Sequence, residues 1–428
     1  MSDLPIPART IAYIQQHGFP IEIQCGDETQ GRYAVANRDI REGEVVLEAR
    51  GYGIASTHEC RRECCSGCFQ AYTLLRTLSF KCAACALVWY CSAACRDAHA
   101  PLHAFAECRL LAELSAALPF GRNLDARLTA IERETVRITN PSATHCPAPV
   151  NFMNPYSRDD ILSIARWSLA FCIRGLLESH FAETRAFRTA ALPTYFDAME
   201  LVPNDASISF TEQLQLLGLH MLLGGLGAAT QARKINTAVA GSEVEVEAVE
   251  ETCMRLDMGF SDLFRARFPR PVDFVRGICI RQCNAFGLWD LESECMGQCL
   301  FPVASYFNHS CDKNLIFEQM MKLIDGKEKE GDQDLAAFSV KDGEEDKLVA
   351  AVSAVSIQDA ASRQVEKEVL ASQIVASLKL HPSLVFVAKR DIRKGEPLTH
   401  SYVDQSMGRE ARRNALKEAY HFDSTTTQ

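Results

Sequence analysis

Cysteines come in close pairs in one stretch of this chain. Cys65-x2-Cys68, Cys82-x2-Cys85 and Cys91-x3-Cys95 are followed by His103-x4-Cys108. Two sulfurs so close in sequence sit on one tight turn and can grip the same tetrahedral ion, and sulfur with imidazole is a zinc donor set. Four pairs make eight ligands, enough for two zinc ions. Cys64 stands beside Cys65 as another first sulfur, and His99 competes with His103 for the imidazole place. A stretch this short has little core, so metal would supply much of its folding free energy. The chain has 18 cysteines, and half of them lie between Cys60 and Cys108. Its first residues, MSDLPIPART, contain no charged segment leading into an apolar one, so no signal peptide is expected. Thiols are then expected to stay reduced, in cytoplasm and/or nucleus, and to bind metal rather than pair.

A second set of polar residues is spread along the chain. It comprises Gly31-Arg32, Asn284-Ala285-Phe286, Asn308-His309-Ser310-Cys311 and Gly395-Glu396-x-Leu398-x3-Tyr402. Singly, each has a plain reading: Asn308 as a turn residue, His309 as a core histidine, Tyr402 as a strand aromatic. Their order carries more. The run Cys82-Ala-Ala-Cys85-x3-Trp89-Tyr90-Cys91-Ser92-x2-Cys95-x7-His103 resembles a MYND zinc finger. The Gly-Arg motif, the finger, a helical stretch, Asn-Ala-Phe, Asn-His-Ser-Cys and Gly-Glu-x-Leu-x3-Tyr follow one another as in the SET and MYND domain-containing protein-lysine methyltransferases. The resemblance covers nearly the whole chain.

That resemblance implies interleaved zinc pairing, with Cys65, Cys68, Cys91 and Cys95 on one ion and Cys82, Cys85, His103 and Cys108 on the other. It implies S-adenosyl-L-methionine as cofactor, lying against Gly31, Arg32, Asn284, Asn308, His309, Tyr402 and Phe422. It implies a lysine channel lined by Phe286, Tyr402 and Tyr420, with Tyr402 as catalytic tyrosine. The substrate would be a protein bearing a lysine, histone or non-histone, and the finger would take a short proline-rich peptide. The chemistry fits these residue types. Lysine has a reference pKa of about 10.4 and must lose a proton before it attacks a sulfonium methyl. An apolar aromatic channel disfavours the ammonium form, and positioning of the amine would carry most of the rate.

The chain departs from the family pattern in places. Arg32-Tyr33 follows Gly31 where Gly-x-Gly is usual, Lys313 replaces a proline, and Ala100 replaces a finger tryptophan. The last finger cysteine falls one residue late. Ser424 and Thr426 stand where post-SET cysteines are usual, Gln428 comes before the place of the third, and the C-terminal helical domain of many members is not expected. No third zinc is therefore expected at Cys311, and cofactor affinity is expected to drop. The alternative function is a catalytically weak or inactive MYND adaptor or transcriptional regulator that binds partner peptides.

The elements that must position these residues follow from pattern. The fold class is α+β, a mainly-β knotted SET core split by the finger and a helical insertion. Residues 20–59 read as strands of the first SET part and 60–108 as the finger. Residues 109–278 form the helical insertion, where Ile161, Ile164, Leu169, Ile173 and Leu177 recur at helical spacing, as do Leu214, Leu217, Leu219, Leu222 and Leu226. Strands return at about Cys279, and 279–405 is the catalytic core with a polar insertion at about 319–382. Within that insertion Val365, Val369, Ile374 and Leu378 mark one amphipathic helix. Residues 406–428 are a truncated post-SET tail. Arg-Asp-Ile-Arg-(Glu/Lys)-Gly-Glu occurs at both 38–44 and 390–396, which suggests two alike strand-turn-strand units. The apolar run from Leu214 to Thr230 is broken by His220 and glycines, so no membrane span is expected. A formal charge of −10 disfavours nucleic acid and suits a basic partner.

Overall fold

A computed structural model describes residues 6, 8–26, 31–70, 78–118, 156–190, 192–203, 208–231, 258–290, 294–320 and 360–420. The chain opens with α1 (Ala8–Gln16) and the antiparallel pair β1 (Ile21–Cys25) and β2 (Arg32–Ala36), then β3 (Val45–Arg50) and β4 (Tyr52–Ser56). The cysteine-rich stretch holds β5 (Phe80–Lys81), β6 (Trp89–Tyr90), α2 (Ala93–Leu102) and α3 (Cys108–Ala117). A helical part follows: α4 (Arg158–Phe181), α5 (Arg185–Thr189), α6 (Tyr195–Met199), α7 (Phe210–Gln231), α8 (Phe260–Arg267) and α9 (Pro271–Asn284). Strands then return as β7 (Ala285–Trp289), β8 (Cys295–Leu300), β9 (Asn308–His309) and β10 (Leu315–Met320). The chain continues with α10 (Ala360–Leu378), β11 (Ser383–Ala388), β12 (Thr399–His400) and α11 (Arg409–Tyr420).

Two apolar cores divide this mixed fold. Trp167, Phe171, Phe181, Phe264, Phe268 and Phe274 build the helical one, in which α4 is central. A capping box starts α4: Ser157 accepts from the Asp160 amide, and Asp160 accepts from the Ser157 amide. Its apolar stripe, Ile161, Ile164, Leu169, Ile173 and Leu177, is fully buried. The second core lies among small sheets and centres on Leu47, Phe301, Phe307 and Phe386. These sheets have the orders β10-β11-β3 and β4-β8-β7, so strands from the two ends of the chain share each hydrogen-bonded layer.

Two elements differ from the sequence expectation. Helix α9 runs to Asn284, so strands return at Ala285 and not near Cys279. Pro271 starts the helix at a position where its missing N–H costs nothing, and Phe274, Ile278 and Cys279 bury one face through its last turns. The four-residue stripe on α10 is also split. Ile374 and Leu378 are buried, whereas Val365 and Val369 are exposed. The C-terminal end of α10 docks on α2, where the Ser377 hydroxyl donates to Ala98 O at 2.7 Å. The polar insertion between 321 and 359 lies outside the described residues, as does 421–428 with Phe422, Ser424 and Thr426.

The duplicated motif forms a reciprocal pair. Ile40 and Ile392 each donate an N–H to the other's carbonyl at 2.9 Å. Asp391 accepts from the Glu42 amide at 2.9 Å, and Asp39 accepts from the Lys394 amide at 2.8 Å. Each copy closes on itself through Arg38–Glu44 at 2.5 Å or Arg390–Glu396 at 2.6 Å. Gly43 and Gly395 have φ of 79° and 82°, a conformation that costs any other residue strain. Through this pair β2 and the 395–398 segment run side by side, with Leu398 donating to Ala34 O at 2.8 Å.

Candidate functional site

The cysteine pairs converge on two centres. In each Cys-x2-Cys turn the residue after the second cysteine donates its amide to the first cysteine's carbonyl: Phe69 to Cys65 at 2.8 Å and Ala86 to Cys82 at 3.0 Å. Both residues take a positive φ, 57° and 54°, which is uncommon for side chains of these types. The hairpin β5–β6 sets Cys82 and Cys91 at its ends. Ser92 caps α2 by accepting from the Cys95 amide at 3.1 Å, which fixes Cys95 in the first turn of the helix.

The ligand atoms of Cys65, Cys68, Cys91 and Cys95 lie within 4.8 Å of one another, and so do those of Cys82, Cys85, His103 and Cys108. Cys68 and Cys91 sulfurs are 3.8 Å apart, and those of Cys82 and Cys108 are 3.7 Å apart. Tetrahedral zinc with bonds of about 2.3 Å to sulfur separates its sulfurs by about 3.8 Å, so the donor sets fit that ion. Burial alone would push the Cys82 thiol up; the amides of Cys85 and Ala84, together with His103, bring it down to about 6, toward the thiolate a metal needs. Cys64, the alternative sulfur, points elsewhere and donates to Phe69 O at 3.5 Å.

The long His103-x4-Cys108 spacing has a backbone cause. Residues His103–Glu107 form a π-turn, and the Cys108 amide donates to His103 O, five residues back. This wider turn brings residues five apart nearly above one another, so the extra residue is absorbed and both donors face one centre. Glu107, which the sequence reading passed over, completes this centre. Its carboxylate is 3.2 Å from His103 Nδ1 and 3.4 Å from His99 Nε2. Burial opposes its charge, but His99 and the His103 hydrogen bond hold its carboxyl down to about 2. Carboxylates placed so orient a ligating imidazole. His99 Nδ1 lies 3.2 Å from the Tyr90 hydroxyl, and Cys85 Sγ faces His103 Nε2 at 3.6 Å.

Asn308, His309, Tyr402 and Phe286 of the second set gather around β9 and β12, which pair in parallel with Asn308 opposite Thr399 and His309 opposite His400. Asn314, buried beneath, latches this pairing: its Oδ1 accepts from the Thr399 amide at 2.9 Å, and its Nδ2 donates to Pro397 O at 2.8 Å. The Tyr402 amide donates to His309 Nδ1 at 3.1 Å, which leaves the His309 proton on Nε2, 3.5 Å from the Cys311 sulfur. Burial and Arg412 push His309 down to about 4, so it is neutral at neutral pH. The Tyr402 hydroxyl donates to Phe307 O at 3.1 Å, and burial raises its pKa above the usual phenol range. Tyr420 lies 4.7 Å from Tyr402, ring to ring, and His400 lies 5.0 Å from it. Phe286 stacks on His400 at 5.6 Å.

Gly31 carries the left-handed turn, with φ 61°, and Arg32 follows it as the first residue of β2. Its side chain is buried against the Tyr306 ring at 5.5 Å and donates to Glu200 O. Asn284 turns to the same loop, donating to Val202 O at 3.0 Å and to Ile280 O at 2.9 Å. The residues 200–202 of the helical part are thus held by two positions far from them in sequence. Among the described residues no helix is long and apolar enough to cross a membrane.

Residues 65–108 match the MYND finger family model. A SET and MYND domain-containing protein of Dictyostelium discoideum is 22% identical over 405 residues, covering 92% of this chain and 78% of that protein. The histone-lysine N-methyltransferase ASHR1 of Arabidopsis thaliana is 22% identical over 297 residues, 69% of this chain and 44% of that protein. A further SET and MYND domain-containing protein of Dictyostelium discoideum is 35% identical over a shorter stretch of 113 residues, a quarter of this chain.

Proposed function

We propose that this chain, which belongs with the SET and MYND domain-containing proteins, is an S-adenosylmethionine-dependent protein-lysine N-methyltransferase with a two-zinc finger and a knotted SET core. The observation that carries this reading is the parallel pairing of Asn308–His309 with Thr399–His400, which joins Tyr402 to His309 and to an aromatic wall. The domain boundaries of the sequence reading are proposed with it, moved at one point to the end of α9. So is a reducing location, cytoplasm or nucleus.

When bound, S-adenosylmethionine supplies an electrophilic methyl group. The residues that would hold it are Gly31, Arg32, Asn284, Asn308 and His309. Their fit is supported by the extended backbone of Arg32, whose side chain is turned to Tyr306 and Glu200, and by the anchoring of Asn284 on the same loop. Phe286, Tyr402 and Tyr420 would form an apolar channel that favours the neutral amine of an incoming lysine. Tyr402 is fixed at both ends, by His309 at its amide and by Phe307 O at its hydroxyl, so it presents one edge to that amine. Substrate recognition is supported by the net charge of −10, which attracts lysine-rich protein segments, histone or non-histone.

A second reading, a MYND adaptor with a silent SET core, is favoured by Ser424 and Thr426 in place of post-SET cysteines. One experiment separates the two. Zinc-loaded protein is incubated with methyl-labelled cofactor, core histones and a lysine-rich peptide set. Transfer by the wild type, abolished in Asn308→Ala and lowered about 100-fold or more in Tyr402→Phe, supports the enzyme. No transfer, with capture of proline-rich peptides by the finger, supports the adaptor.

A further inference from the structure

Strand β9 is two residues long, and the chain leaves it through Ser310, Cys311 and Asp312. Cys311 and Asp312 are exposed, so packing does little to fix this exit. Hydrogen bonds do more. The Ser310 amide donates to His400 O at 3.0 Å, and the Asp312 amide donates back to the Ser310 hydroxyl at 3.1 Å. The next tie comes from 94 residues further along the chain, where Gln405 Nε2 donates to Cys311 O at 2.9 Å. Gln405 sits in a tight turn that Asp404 closes by accepting from the Ser406 amide at 2.8 Å and the Ser406 hydroxyl at 2.6 Å. Arg412, near the start of α11, reaches back over this turn. Its Nη1 donates to Gln405 O at 3.3 Å and to Met407 O at 2.6 Å. One guanidinium thus holds the turn, the turn holds Gln405, and Gln405 holds the chain just after Asn308 and His309.

The same helix ends at Tyr420, whose ring lies 4.7 Å from Tyr402. Helix α11 is therefore tied at both ends to the region given above to cofactor and lysine. Arg412 also lies close enough to His309 for its charge, after burial, to help keep that imidazole neutral. Residues 404–408 are exposed, and hydrogen bonds in so exposed a segment open locally without unfolding the rest. What these bonds fix is local: the course of the chain as it leaves His309.

We propose that Arg412, acting through Gln405, is a positioning residue that holds the Asn308–Cys311 segment in the shape that receives the cofactor. This rests on the methyltransferase reading and deepens it.

The test measures calorimetric binding of S-adenosylhomocysteine to zinc-loaded protein, with the melting temperature of each variant alongside. Arg412→Met keeps the helix-compatible stem and removes the donors. Gln405→Glu keeps the shape and removes the one donor that reaches Cys311. Each is expected to weaken binding about tenfold, the scale of one lost hydrogen bond, and to leave the melting temperature unchanged. The double variant loses no more than either single, because both act through one contact, whereas independent effects would multiply to about a hundredfold. Arg412→Lys, which keeps a charged donor, recovers part of the loss. Binding that is untouched in both single variants overturns the proposal. So does a hundredfold loss in the double variant, or a loss of binding matched by a fall in melting temperature, which marks a merely structural role. In those outcomes wild type still binds the probe, and the methyltransferase reading stands. Wild type that binds no S-adenosylhomocysteine overturns both.

Discussion

Glu107 illustrates what one side chain does for the metal centre. Its carboxylate reaches both His103 and His99, fixing which imidazole nitrogen faces the sulfurs. Glu107→Ala is expected to weaken zinc binding at the His103 centre 10–100-fold, read by chelator competition, and to leave the Cys65 centre unchanged. Equal affinity in wild type and variant would contradict that role. The signal was in the sequence, since His99, His103 and Glu107 recur every four residues, the spacing of one helix face. The cysteines were legible for a stronger reason: paired sulfurs have few structural uses other than metal. The choice of Cys65 over Cys64 was not legible, because adjacent residues point apart only once the turn is built. Nor was the fate of Arg32, whose partner Glu200 lies 168 residues away.

At the scale of elements, the π-turn from His103 to Glu107 explains how the late cysteine still joins Cys82, Cys85 and His103. Residue types do not encode whether an amide bonds four or five residues back, so this element could not be read from pattern. Inserting an alanine after Ala106 is expected to swing Cys108 away from His103 and to lower zinc content from two ions per chain to one, measured by elemental analysis. Two ions in the insertion variant would contradict the account. The duplicated Arg-Asp-Ile-Arg motif shows the opposite case. Its repetition was visible, and Gly43 and Gly395 announced tight turns. That the two copies clasp each other, aspartate to amide in both directions, depended on long-range pairing. Helix α9 outran its expected end because the apolar spacing of Phe274 and Ile278 suits a helix, and the backbone turns extended only at Ala285.

Over the whole molecule, the order of motifs gave the plan and the pairing of strands makes it work. β2 lies beside 395–398, β9 lies beside β12, and Phe286 stacks on His400, so segments near residues 34, 286, 308 and 402 adjoin one another. The finger and the helical part enter between these segments in sequence, and α10 docks back on the finger through Ser377. The two cysteine clusters and the region around Tyr402 and His309 are thus parts of one folded body.

The central claim, that the region around Asn308 and Tyr402 holds S-adenosylmethionine, is tested most directly by calorimetric titration of that cofactor into zinc-loaded protein. The account predicts micromolar binding by wild type, lost in Asn308→Ala and retained in Tyr402→Phe, whose ring stays in place. No binding by the wild-type chain, or binding untouched by Asn308→Ala, would contradict it.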